Sequence, residues 1–168
     1  MVTTGFRRAA PAAFLAAVVG LLFVACGGEP SGVGEDFAAR AAQVCQAALE
    51  SKQAWSQFPV PNFDPVDPDP AAFPEVSTWL EDQVAPTFES WLDGLEALGD
   101  PPSAREAWAD VLGAVERITA GNADEIAAAK AADVHAFVVA HDRLEQTQND
   151  LETSTAEAGV ASCADIHA

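Results

Sequence analysis

The chain has 168 residues and sets 26 acidic side chains against 8 lysines and arginines, for a formal charge of −18. A surface of that sign repels nucleic acid and anionic headgroups, so neither is an electrostatic partner. Apolar residues make up 49% of the chain, but with no Tyr, a single Met and many alanines the composition favours helices over strands.

Arg7 and Arg8 precede an uncharged run of seventeen residues, Ala9 to Ala25. As a helix that run spans about 25 Å at ~1.5 Å per residue, short of the roughly 30 Å hydrocarbon core of a bilayer. Pro11 and Gly20 weaken it further as a permanent span, and the order of charge, apolar core and small residue is that of a cleaved secretory signal. Phe23-Val24-Ala25-Cys26 resembles the bacterial lipobox, with Phe23 where that family usually has Leu. The resemblance implies that the Cys26 thiol is diacylated and the signal cut just before it. The alternatives are a signal cut near Ala25 without lipid and an uncleaved anchor. One acyl chain holds a membrane marginally, whereas two or more anchor stably.

This reading divides the chain into a signal peptide at 1–25, a tether at 26–34 and a helical domain at 35–168. Loss of residues 1–25, whose charges are Arg7 and Arg8, leaves 143 residues and takes the formal charge from −18 to −20. Cys26-Gly27-Gly28-Glu29-Pro30-Ser31-Gly32-Val33-Gly34 reads as a flexible leash of at most about 30 Å. The expected location is the outer face of a bacterial cell membrane. With Cys26 committed to lipid, Cys45 and Cys163 remain as an even pair outside the cytoplasm, where disulfides persist. The alternative is two free thiols with catalytic or metal roles, but neither lies in a CxxC or beside an activating base.

Phe37, Ala41, Val44, Cys45, Ala48, Leu49 and Trp55 recur at helical spacing and predict helix one over 35–57. Six prolines between Pro59 and Pro74 then forbid a helix. Asp64, Asp67 and Asp69 lie among them. They read as a solvated acidic crossover in preference to a cation site or docking strap, since calcium needs six to eight oxygens on a loop able to curl back. Helix two is predicted over 75–98 from the stripe Val76, Trp79, Leu80, Val84, Phe88, Trp91, Leu92, Leu95 and Leu98. A kink is expected where the Pro86 ring meets the Asp82 carbonyl. Trp79, Phe88 and Trp91 are assigned to the core rather than to a ligand pocket.

Ser103-Ala104-Arg105-Glu106 has the capping-box pattern for helix three, which Gly121 is expected to close. Asn122-Ala123-Asp124-Glu125 repeats the device and opens helix four, running to about Ala158; its length predicts either a bend near its alanine run or fraying at its polar end. The fold class expected is all-α, an antiparallel four-helix bundle with a Pro-rich crossover between helices one and two. Leu95-x-x-Leu98-x-x-Pro101-Pro102, then Gly121-Asn122, then Gly159-Val160-x-x-Cys163, is similar to small secreted and lipid-anchored helical proteins of high-GC Gram-positive bacteria. That resemblance implies an early cysteine paired with one near the C-terminus and supplies no catalytic residue.

Chemistry is sparse. HExxH, GxSxG, P-loop and GxGxxG patterns are absent from the sequence. His141 lies on the inward stripe with Glu145 one turn on, a pair able to share a proton or hold a metal. No Glu-x-x-His pair of the di-iron kind exists, so a hydrogen-bonded core or boundary histidine is the preferred reading. The expectation is a non-enzymatic, lipid-anchored binding or accessory protein without cofactor, with a protein or small-molecule partner. The runner-up is a small metal or haem carrier using His141, Glu145 or the Asp64–Asp69 loop, and a scattered-site hydrolase stands third.

Overall fold

A computed structural model describes residues 32–58, 61 and 63–166. The signal region, Cys26 and the tether as far as Ser31 lie outside the described residues. Four rods form the fold. The first is α1, Glu35–Ala54, ending in a 3₁₀ turn at Trp55–Gln57. The second is α2, Phe73–Trp79, continued by a π turn at Leu80–Val84 into α3, Ala85–Glu96. The third and fourth are α4, Arg105–Lys130, and α5, Val134–Ala158, followed by a 3₁₀ segment at Ala161–Ile166. Cross-rod pairs run in opposite sequence directions: Cys45–Trp91 and Trp55–Thr87 between the first and second rods, Arg117–Asp150 and Glu125–His141 between the third and fourth. Those rods are therefore antiparallel, and the all-α bundle is as the sequence predicts.

The stripes meet in one core. Phe37, Phe73, Trp91, Leu95, Ile118, Phe137, Leu151 and Ile166 are each 2% exposed or less. Phe37 meets Trp108 edge-on at 4.9 Å, a preferred arrangement for aromatic pairs. Cys45 and Cys163 form the expected disulfide, joining α1 to the C-terminal segment across 118 residues of sequence. The indole N–H of Trp91 lies 3.4 Å from the Cys45 sulfur, so the bridge is packed inside the core.

Pro86 does not break the second rod. Ala85 donates its N–H to the Leu80 carbonyl, five residues back. This wider turn relieves the clash that the Pro86 ring would make with the carbonyl of a regular α-turn.

Three boundaries differ from those read in the sequence. Val33, assigned to the tether, is 1% exposed, and its N–H donates to the Ala158 carbonyl at 3.1 Å. Residues 32–34 are thus docked on the end of α5. The Ser103 capping box does not form: Ala104 takes a left-handed conformation (φ 51°) and the Ser103 hydroxyl donates to the Gly32 carbonyl at 2.7 Å. Nor does Gly121-Asn122 end a helix, because α4 continues to Lys130. A Cβ at Gly121 would sit 2.5 Å from Cδ2 of Leu144, so glycine here lets α5 approach. That offsets the ~1 kcal/mol a mid-helix glycine costs. The Asn122 amide donates back to the Ile118 carbonyl at 3.1 Å. The break falls instead at Ala131–Asp133, close to the alanine run, where the Asp133 carboxylate accepts the Ala136 N–H and caps α5.

Reducing the disulfide, or replacing Cys45 and Cys163 by Ala, is expected to lower unfolding free energy by about 2–5 kcal/mol. Urea denaturation with and without reductant measures this; superimposable curves would contradict it.

Candidate functional site

α1, α4, α5 and the π turn leave a cavity of about 220 Å³ between them. One wall is aromatic: Trp55, Trp79 and Phe88 lie with ring centroids 5.8 Å and 6.0 Å apart around Trp55. Trp55 is held in place by its indole N–H, which donates to the Thr87 hydroxyl at 3.1 Å. The Pro-rich crossover adds Phe63 and Pro65, with Phe63 set edge-on to Phe137 at 6.0 Å. A wider hollow between α4 and α5, lined largely by alanines, has no aromatic wall.

The polar side of the cavity is built by the α4–α5 hairpin. Glu125 is 5% exposed, and its Oε1 lies 2.9 Å from Nδ1 of His141. His141 Nε2 faces the largely exposed Glu145 at 3.9 Å, so Glu125 marks the floor and Glu145 the mouth. From α1, the Lys52 ammonium donates to the Ile166 carbonyl at 2.9 Å, and burial lowers its pKa. Burial raises the Glu125 carboxyl above its ordinary 4.5, while the hydrogen bond and charge of His141 pull it part of the way back. Among the described residues two indole N–H groups, of Trp79 and Trp108, are buried without a partner, a cost of about 1–3 kcal/mol each.

The sequence-derived candidates separate here. His141 and Glu145 do face each other, but the short contact of His141 is with Glu125. Among the described residues no three His, Cys, Asp or Glu side chains are grouped to hold a metal. Asp64 accepts the Val66 N–H and Asp69 the Ala71 N–H, both at 2.9 Å, so these carboxylates shape the crossover. Cys45 and Cys163 are in the disulfide, and Cys26 lies outside the described residues. Trp91 and Phe88 belong to the core as expected, and Trp79 packs against it; Phe88 and Trp79 also line the cavity. Glu125 escaped the sequence reading because it stood in the first turn of the same predicted helix as His141. Sixteen residues along one helix is about 24 Å at ~1.5 Å per residue, too far for contact. The available signal was Asp133, an N-cap residue after an alanine run.

No helix among the described residues is long and apolar enough to cross a membrane. Family models, curated proteins and solved structures offer no match to the chain, so site geometry and sequence pattern carry the functional argument.

The raised Glu125 pKa fixes a sign. Between 4.5 and that raised value the folded chain keeps a proton that the unfolded chain has lost. The resulting stabilisation is full below 4.5 and disappears as pH rises through the raised value. Glu125→Gln is permanently neutral, so its melting temperature relative to the parent is expected to climb as pH rises from 4.5. A difference that is flat or declines with pH would contradict the burial argument.

Proposed function

We propose that the chain is a lipid-anchored extracytoplasmic protein that works by binding a small molecule in the Trp55–Glu125 cavity, not by catalysis. The observation that carries the binding half is the convergence on one cavity of an aromatic wall and a buried carboxylate–imidazole pair. Ligand sites are concave and mostly apolar, with few polar groups that fix orientation. The N-terminal pattern ending in Cys26 supports the anchor. The structural disulfide fits an oxidising compartment. On this reading the chain resembles the lipid-anchored helical proteins of high-GC Gram-positive bacteria in address as well as in pattern, and its lipid keeps a strongly acidic domain beside a membrane that its charge would otherwise avoid.

Each half has its own test. Labelled palmitate fed to expressing cells is expected to enter the native chain and not Cys26→Ser; equal or absent labelling in both would remove the anchor. Mass spectrometry of protein purified without denaturation from its own membrane is expected to find a small molecule. That molecule should be lost from Gln148→Trp, where an indole enters the cavity from the half-buried face of α5. A folded native chain that carries nothing, or a Gln148→Trp variant that carries the same molecule, would contradict the binding role.

A further inference from the structure

We propose that the cavity takes a small organic cation, with an ammonium group against the Glu125 carboxylate and an apolar body of about one ring against the aromatic wall. This rests on the small-molecule reading above and narrows it to a ligand class. Glu125 lines the cavity, is 5% exposed, and has its Oε1 2.9 Å from Nδ1 of His141. Among the described residues the hydrogen bond of Glu125 is the one to His141, and its second oxygen is not one of the sealed atoms left without a partner, so it is reachable from the cavity. That oxygen retains acceptor capacity for a cation or donor.

The rest of the lining selects the same class. Trp55, Trp79 and Phe88 line the cavity, and an aromatic ring attracts a cation through its quadrupole when the cation meets its face. Glu145 at the mouth adds a second negative charge, and a chain of formal charge −18 raises the local concentration of cations. An anion would meet both carboxylates. The lysine of the lining, Lys52, has its ammonium on the Ile166 carbonyl. Size sets the body: a closed apolar cavity of about 150 Å³ accepts benzene, so about 220 Å³ holds one ring and a short ammonium arm. A porphyrin is far too large for it.

The titratable side chains facing this space are Glu125 from α4, His141 and Glu145 from α5, and Lys52 from α1. Acidification protonates the Glu125 carboxylate, which its burial favours, and removes the charge that the cation would meet. Affinity for a cation therefore falls as pH falls.

Calorimetric titration of the full chain at neutral pH with benzylammonium, benzyl alcohol and benzoate compares three ligands of nearly one shape. The expected result is benzylammonium tighter than either of the others by at least about tenfold, the worth of one charge-assisted hydrogen bond. Glu125→Gln, which keeps the shape and the bond to His141, should lose that margin and leave benzyl alcohol unchanged. Benzyl alcohol or benzoate binding as well as the cation would overturn the cation reading while leaving the cavity a binding site. A Glu125→Gln variant that keeps the margin, or no binding of any of the three, would overturn it equally. In the latter case the molecule carried by the purified native protein decides separately whether the cavity binds at all.

Discussion

The Cys45–Cys163 bond is the constraint on which the cavity depends. It holds the 3₁₀ segment Ala161–Ile166 on α1, and that segment supplies both Ile166 to the cavity wall and the carbonyl that receives Lys52. Much of the core is alanine: Ala41, Ala48, Ala114, Ala128, Ala129, Ala140 and Ala158 are all buried. Each alanine contributes less apolar area than a larger side chain, and a formal charge of −18 spread over the surface opposes compaction. A covalent tie across 118 residues is indifferent to that repulsion and to salt. The tail stays in place where side-chain burial alone would hold it weakly.

Around that tie the bundle is shaped by close approach at a few positions. Gly121 admits Leu144, and Gly94 admits Val44, whose Cγ1 would lie 2.7 Å from an added Cβ. The first contact draws α5 onto α4 and brings His141 within reach of Glu125; the second draws α3 onto α1. The cavity opens where the packing changes character, between the small-residue contacts of the hairpin and the bulky Trp55, Trp79 and Phe88. The π turn at Leu80–Val84 lies on this boundary and contributes Leu80 and Val84 to the lining. In accommodating Pro86 it also shifts the register of the rod that carries Trp79 and Phe88, as π turns near functional sites commonly do.

The rods themselves were legible in the sequence. Apolar spacing gave α1, the α2–α3 rod and most of α4 and α5, and Pro86 marked the irregular turn. The cysteine count, taken with Cys26 set aside, gave the disulfide. The site was legible only in pieces. His141 and Glu145 stood out because they share a face one turn apart. Glu125 did not, because Gly121-Asn122 carries the residues of a helix stop and Asp124-Glu125 those of a helix start. Glycine serves two ends, a left-handed backbone and a missing side chain, and sequence does not say which. Here Gly121 is helical and the missing side chain is what matters, whereas the actual stop at Ala131–Ala132 is hidden in residues with high helix propensity. The same ambiguity explains Ser103, whose hydroxyl is spent on Gly32 of the N-terminal segment, a contact between distant parts of the chain.

A buried carboxylate facing an aromatic-walled space is the feature from which the functional account follows, and its ionisation can be read directly. Carbon-detected NMR titration of the side-chain carboxyl of Glu125 is the most direct measurement. The account predicts a midpoint displaced above 4.5, the ordinary value for glutamate, and one that falls back on addition of benzylammonium. A Glu125 that titrates with the exposed glutamates and ignores the cation would contradict it.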